Sequence, residues 1–307
     1  PSWPAGFADA LAELKPDLML VLGDRYEIFA AAASAMIARI PIAHLHGGEL
    51  TEGLIDEPIR HSVSKMSHLH FVAAEEYRRR VIQLGEQPEN VFNVGGLGID
   101  NILRLKLLSR RDLENELNFK LSKRNLLITF HPVTLEQETS AKQMDELFAA
   151  LSELKETGLI FTMPNADTEG RALFRQIEAF CAQHSQAYAF TSLGQLRYLS
   201  CIKHVDGVVG NSSSGLLEVP SFRKGSINIG DRQRGRLKAA SVIDCKPEYE
   251  SIRKALIYLF SAEFQSKISA VQNPYGNGGA SKAIVQKLES LSLDNLLKKR
   301  FFGLPNS

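Results

Sequence analysis

The sequence predicts an α/β protein of two Rossmann-like domains facing a cleft, the first of them incomplete. Three observations predict it. Short runs of aliphatic and β-branched residues alternate with helical patterns along nearly the whole chain, which indicates parallel sheets with crossover helices. One charged stretch without strand signals, residues 104–124, separates two such series. Polar loops dense in His, Asp, Glu and Ser follow several of the strands, where open α/β sheets bind their ligands.

Residues 18–22 (LMLVL) read as a buried strand that Gly23-Asp24 ends, and residues 30–40 as an alanine-rich helix. Residues 41–45 form the next strand, and residues 58–66 place Ile59, Val63 and Met66 at helical spacing. A strand over 69–73, a helix over 75–84 and a strand over 91–95 follow, and then one long charged helix over about 100–118. The second series has strands at 126–130, 159–163, 188–191, 205–209 and 226–229. Its helices lie at 136–154 and 168–184, with a short one from about Gly215 and closing ones at 247–260 and 280–291. The domains expected are an N-terminal Rossmann-like domain over 1–105 and a C-terminal nucleotide-binding one over 106–307, the final helix being free to pack back on the first. The first holds roughly four strands, and a doubly wound half needs about three βα units of ~30 residues each. Its opening strands are therefore expected to be absent from this sequence.

Composition narrows the function. Of 307 residues, 44% are apolar and 23% charged, which fits a globular chain and excludes disorder. Lys+Arg number 36 against 35 Asp+Glu, so no basic excess points to nucleic acid. Cys181, Cys201 and Cys245 are odd in number and far apart, so reduced thiols are expected, with no disulfide framework and no structural zinc. The longest apolar run, residues 29–45, is broken by Arg39, Pro41 and His44 and is too short for a bilayer span. The opening Pro-Ser-Trp-Pro lacks the basic head and apolar body of a signal peptide. A soluble cytoplasmic protein is expected, and with no initiator Met so is a fragment or a processed chain.

Two strings in the first half carry chemistry. In GDRYE (23–27), Asp24 ends a strand, where it either points into a cleft or caps the next helix. HLHGGELTEGLIDEPIRH (44–61) holds three His, a tandem Gly, and the carboxylates Glu49, Glu52, Asp56 and Glu57. Asp56 and Arg60 are spaced to share a helix face, as are Glu57 and His61, and both carboxylates suit the positive end of a helix. That accounts for Asp56 and Glu57 alone. Gly47-Gly48 between His46 and Glu49 allows a sharp turn or a close ligand approach. Zinc on His44, His46 and Glu49 is disfavoured, because an extended strand puts the two His on one face and Glu49 on the other. HExxH is absent as well, and no metal is expected.

Four strings follow in the second half. His131 in TFHPVT ends a strand, as a polar terminator or as a group facing the cleft. Asn165 and Asp167 in FTMPNAD precede a helix that carries Arg171, and helix capping is a strong reading of Asp167. In VVGNSSSGLLEVPS, Gly210, Ser212, Ser213 and Ser214 lead from a strand into a short helix, a setting that binds phosphate. Glu218, one turn later, suits ribose hydroxyls. In NIGDRQRGR, Arg232, Arg234 and Arg236 either neutralise a diphosphate or form a solvated loop.

Together GDRYE, HGGELTEGLIDEPIRH with SKMSHLHF behind it, FHPVT, PNAD, and GNSSSGLLEVPSF with NIGDRQRGR resemble the hydrolysing UDP-N-acetylglucosamine 2-epimerases of sialic-acid and legionaminic-acid biosynthesis. The resemblance runs in order over nearly the whole chain. It implies a GT-B type architecture and a nucleotide-sugar substrate. A base removes the C2 proton as UDP leaves C1, and water adds to the glycal to give free N-acetylmannosamine. No cofactor is implied, and a homodimer is. The first half's acidic groups and the second half's hydroxyl-lined cradle are expected to share one crevice.

The resemblance makes Asp24, Glu49 and Asp56 the carboxylate candidates, with His46 and His131 as further catalytic candidates, His131 near the diphosphate or the sugar. Ser212, Ser213 and Ser214 would hold phosphates, with Gly210 and Arg232 beside them, and Glu218 the ribose. Arg60, His61, Asn165, Asp167 and Arg171 fall at supporting or substrate-binding positions. Some relatives carry a catalytic Glu where this chain has His46, so Glu49, His46 and Asp56 all stand as the C2 base. Relatives also begin with a strand and a Gly-Thr-Arg type loop of the nucleotide site, which this sequence lacks. UDP or GDP, and N-acetylglucosamine or a 2,4-diacetamido sugar, stand as alternatives. So do a non-hydrolysing epimerase or GT-B glycosyltransferase, and a non-catalytic sugar-nucleotide binding module.

Overall fold

The computed structural model describes residues 3–51, 55–132, 139–164 and 168–303. In chain order its first elements are α1 (Trp3–Leu14), β1 (Met19–Leu22), α2 (Tyr26–Ile37), β2 (Ile42–Leu45), α3 (Asp56–Met66), β3 (Leu69–Val72), α4 (Glu75–Gln83), β4 (Val91–Asn93) and α5 (Leu97–Arg104). Next come α6 (Arg110–Leu117), β5 (Arg124–Thr129), α7 (Thr139–Ser152), β6 (Thr157–Thr162), α8 (Thr168–Gln183), β7 (Ala187–Phe190), α9 (Gly194–His204) and β8 (Gly207–Gly210). The chain closes with α10 (Ser214–Leu217), β9 (Gly225–Ile229), β10 (Val242–Cys245), α11 (Tyr249–Leu259), α12 (Ala262–Ile268) and α13 (Ala280–Ser290). It forms two compact units, Pro1–Asp100 with Tyr275–Ser307, and Asn101–Pro274. These differ from the expected 1–105 and 106–307 at the junction and in the last segment.

The first unit explains the last segment. Its four parallel strands lie in the order β1-β2-β3-β4. Right-handed crossovers between successive neighbours put every connecting helix on one face of the sheet. That face packs Val21, Ile42 and Val63 with Leu11 of α1 and Ala32 and Ala35 of α2. The other face presents Ala43, Leu45, Leu69 and Phe71, because side chains alternate along a strand. Ile284 and Leu288 of α13, with Leu291 and Leu296, cover it. Asp100 fixes the start of α13: Oδ1 accepts from the Gly279 and Ala280 amides at 2.7 and 3.1 Å, and Oδ2 from Ser281 at 2.7 Å.

The second unit is a parallel sheet in the order β10-β9-β8-β5-β6-β7. The strand order reverses direction between β5 and β8, which makes a crevice at their carboxyl ends. One face packs α7, α8, α11 and α12 around Ile128, Phe161 and Ile227, and the other packs α6 and α9 on Leu127, Ile160 and Val208. The single helix expected over 100–118 is two. Leu105, Leu107 and Leu108 turn inward onto this second core, and Ser109 restarts the chain as the cap of α6, accepting from the Asp112 amide. α1, α9, β10 and α12 lie where no element is expected, and β10 is an edge strand whose half-exposed residues make no apolar run. Among the described residues no helix is long and apolar enough to cross a membrane. The cysteines are free thiols, and burial pushes Cys201 and Cys245 up to about 12.

Candidate active site

In the first unit the chemistry collects where β1 and β2 end. Gly23 leaves β1 with φ +83°, and Asp24 follows. Asp24 does not cap α2, whose N-cap is Arg25 with no side-chain bond. Its Oδ2 accepts instead from Nε of Arg60 at 2.8 Å and from Nη2. Arg60, on α3, is 1% exposed. Its Nη1 also donates to the Glu49 carbonyl at 2.9 Å and to Glu57 Oε2 at 2.8 Å, and Nη2 to Thr51 Oγ1 at 2.8 Å. Every N–H face of the guanidinium fork is used inside the protein. Of the two roles expected for Arg60, supporting the site or binding substrate, this geometry fits support.

Glu57 completes the cluster. Oε2 also accepts from the Thr51 amide and hydroxyl, and Oε1 accepts from His61 Nε2 at 3.1 Å. Burial pushes the Glu57 carboxyl up, but the Thr51 amide, His61 and Arg60 outweigh it and hold the group below its ordinary value. The expected i,i+4 pair of Glu57 and His61 is present, whereas Arg60 takes Glu57 at i−3 rather than Asp56. Asp56 is half-buried at the first turn of α3.

After β2 the chain folds back on itself. His46 has φ +63° and Gly48 φ +77°. A Cβ on Gly47 would stand 2.8 Å from Ser64 Oγ, and one on Gly48 would stand 2.5 Å from the Tyr77 carbonyl. The turn returns the buried Glu49 to His46, whose Nδ1 lies 3.0 Å from Glu49 Oε1. His46 Nε2 accepts from the Leu97 amide at 3.4 Å. His44 faces elsewhere: Nε2 donates to the Gly23 carbonyl at 2.8 Å, and Nδ1 accepts from Ser64 Oγ at 3.1 Å. Burial pushes it down to about 3, so it is a neutral tie between β2 and the end of β1. Among the described residues no three His, Cys, Asp or Glu are placed to hold a metal.

In the second unit the site lies at the switch point. Gly210 ends β8 at φ +143°, where a Cβ would stand 1.9 Å from the Thr129 carbonyl. Asn211 bridges to β5: Oδ1 accepts from the His131 amide at 2.7 Å and Nδ2 donates to its carbonyl at 2.8 Å. The Asn211 carbonyl accepts from Arg232 Nη1 at 3.1 Å and Gln233 Nε2 at 2.8 Å. Ser212 and Ser213 are half-exposed, whereas Ser214 turns inward and α10 is a single turn. Ser214, Glu218 and the Tyr198 hydroxyl are buried together, with Ser214 in hydrogen-bonding reach of both the Glu218 carboxyl and the Tyr198 hydroxyl. Burial pushes the Glu218 carboxyl up.

The structure therefore gathers Asp24, His46, Glu49, Arg60 and His61 in one unit, and His131, Gly210, Ser212, Ser213, Ser214, Glu218 and Arg232 in the other. Arg171 is exposed on α8, and Arg234 is exposed beyond β9. Asn165 and Asp167 lie outside the described residues. Sequence reasoning passed over Thr51, Glu57, Asn211 and Tyr198. Glu57 looked like an ordinary helix-start carboxylate, and Tyr198 belongs to no motif.

A family described as UDP-N-acetylglucosamine 2-epimerase matches residues 4–289. A Campylobacter jejuni protein named GDP/UDP-N,N'-diacetylbacillosamine 2-epimerase (hydrolyzing) is 43% identical over 98% of this chain and 78% of its own length. Polysialic acid biosynthesis protein P7 of Escherichia coli is 42% identical over 97% of this chain and 76% of its own. Among solved structures, UDP-GlcNAc 2-epimerase from Neisseria meningitidis bound to UDP-GlcNAc superposes with a TM-score of 0.84 at 20% identity, over 94% of this chain and 80% of that one. At that identity the likeness is one of fold.

Proposed function

This chain belongs to the UDP-N-acetylglucosamine 2-epimerase family, and from that premise we propose that it is the hydrolysing kind, releasing a free 2-epimerised acetamido sugar and UDP. The carbon–oxygen bond at C1 breaks with its electron pair going to UDP, as a carboxylate removes the C2 proton. Water then supplies a hydroxyl to C1 and a proton to the opposite face of C2. Both halves need carboxylates held still at a dry site, each contributing about 10²–10⁴ in rate. The observation that carries the reading is that one buried guanidinium, Arg60, holds both the Asp24 carboxylate and the main chain of Glu49. Asp24 and Glu49 are the proton-transfer groups, with Asp56 beside Glu57 at the start of α3.

In the second unit the half-exposed Ser212 and Ser213 receive the diphosphate, with His131 and Arg232 beside it. Glu218, buried one turn beyond the serines, accepts from the ribose hydroxyls. Asn165, Asp167 and Arg171 take supporting positions. The name of the Escherichia coli relative favours a place in sialic-acid biosynthesis; legionaminic-acid biosynthesis and a cytoplasmic location stay part of the proposal. The exposed Phe29, Met36 and Ile37 of α2 support a homodimer, which solution mass measurement tests.

The deciding experiment is proton NMR in D2O with UDP-N-acetylglucosamine and with UDP- and GDP-activated 2,4-diacetamido sugars. The expected result is nucleotide release matched by free sugar deuterated at C2. An epimerised sugar still on its nucleotide, a sugar transferred to an acceptor, or binding without turnover would overturn it.

A further inference from the structure

We infer that His46 is a positioning residue, which holds the Glu49 carboxylate for proton transfer at C2 and does not itself carry the proton; this rests on the epimerase reading above. The argument begins with its two neighbours. The Leu97 amide lies 3.4 Å from Nε2, and a backbone N–H can only donate. Nε2 therefore carries the lone pair, and the ring proton sits on Nδ1. Nδ1 lies 3.0 Å from Glu49 Oε1, an oxygen that accepts it. A ring whose lone pair is engaged by an amide and whose proton is engaged by a carboxylate has no site left for a substrate proton.

The backbone carries the same assignment. His46 has φ +63°, outside the regions that most side chains favour, and Gly48 follows at φ +77°. These dihedrals reverse the chain just after β2, so that residue 49 returns beside residue 46. The Glu49 carbonyl is then held by Arg60 at 2.9 Å, and its carboxylate by His46. The side chains are 20% and 7% exposed, so the contact forms away from bulk water, where a charge-assisted hydrogen bond orients well. His46 thus aims a neighbouring acid through a hydrogen bond.

Two measurements test this. First, asparagine tolerates a left-handed backbone and places an amide N–H about where Nδ1 stands. His46→Asn is expected to keep kcat within about tenfold of wild type, while His46→Leu loses about 10²-fold in kcat with KM unchanged. Glu49→Gln is expected to lose about 10²–10⁴-fold. Thermal melting and UDP calorimetry accompany each variant. If His46→Asn melts and binds UDP like wild type yet is as inactive as Glu49→Gln, the assignment falls. Second, imidazole ¹⁵N shifts of the wild-type protein are expected to show the neutral Nδ1–H tautomer at His46, and the Nε2–H tautomer overturns the assignment whether or not any variant folds. Failure of the epimerase reading is separable: it shows as a wild-type protein that releases no nucleotide, while the tautomer still reads out.

Discussion

Arg60 grips Asp24 by one oxygen. Nε and Nη2 both close on Oδ2, and the Asp24 side chain remains 23% exposed while the arginine is 1% exposed. The buried fork points the carboxylate and leaves its outer edge exposed. Only a guanidinium fills this place, since it also reaches Glu49, Thr51 and Glu57 from one planar group.

Arg60→Lys is therefore expected to lower kcat by about 10²-fold, because a single ammonium cannot hold Asp24 and the Glu49 carbonyl together. Arg60→Met strands two carboxylates, and removing one partner of a buried pair costs about 3–5 kcal/mol. Urea melts of both variants, beside turnover of Arg60→Lys, check this.

Glu57 acts through its neighbours. Glu57→Gln keeps the shape but gives up the charge that binds Arg60, His61 and the Thr51 amide. We expect kcat to fall about tenfold, less than for Glu49→Gln, with UDP affinity unchanged. Steady-state kinetics and calorimetry separate the two effects.

Nucleotide binding should follow the switch-point residues. Ser213→Ala and Glu218→Gln each remove about one hydrogen bond, worth ~0.5–1.5 kcal/mol, so UDP affinity drops about two- to tenfold. Gly210→Ala puts a Cβ 1.9 Å from the Thr129 carbonyl at a φ of +143°, and is expected to abolish UDP binding. Calorimetric titration with UDP tests all three.

Stability should fall on acidification. Burial pushes His44 to about 3 and His68 to about 4, from an ordinary value of 6.5. Below pH 6.5 the unfolded chain takes up protons that the folded one refuses, so the stabilisation is full above that pH and is lost as pH falls. The slope is at most about 1.4 kcal/mol per pH unit for each histidine. Burial opposes the Glu86 charge, but His70, Lys299 and Lys65 win and hold the carboxyl at about 2, which adds a further loss below pH 4.5. His68→Asn, whose carbonyl oxygen can still accept from the Ile42 amide, should flatten the profile between pH 6.5 and 4. Melting temperatures across pH 4–8 give the comparison, in roughly the range set by these groups.

Lys299 latches the returning C-terminal segment. Its ammonium donates to the Lys65 and Ser67 carbonyls and to Glu86, which also pairs with Lys65 and accepts from His70. Because Lys299 keeps 25% exposure, Lys299→Met should cost about 2 kcal/mol rather than the full price of a buried pair. Amide exchange in residues 292–303 is expected to quicken with little change at β5 or β8.

The alternation of apolar runs and helices is enough to place β1 through β9 within a few residues, because runs of aliphatic and aromatic residues carry their own signal, even in β1, where Leu20 and Leu22 are exposed. The weakly buried β10 lacked it. The single helix expected over 100–118 failed because helical spacing cannot show that Leu105, Leu107 and Leu108 leave one helix to pack on another core. In the site, Asp24, Glu49, Ser212 and Ser213 were legible as strand-end groups. Arg60 was legible as a helix partner of Asp56 and, through the resemblance, as a supporting or substrate-binding group, and Glu57 as a helix-start charge facing His61; that the two meet each other was not.

Local periodicity and residues close in the chain suffice for the α/β class, the two series of strands and the strings that carry the chemistry. Tertiary structure alone decided who meets whom. Arg60 reaches Asp24 across 36 positions because β1 and β2 are neighbours, and α13 returns because same-handed crossovers leave one face of the first sheet bare. Long-range pairing follows from strand order and handedness, and neither is written in the spacing of any short stretch.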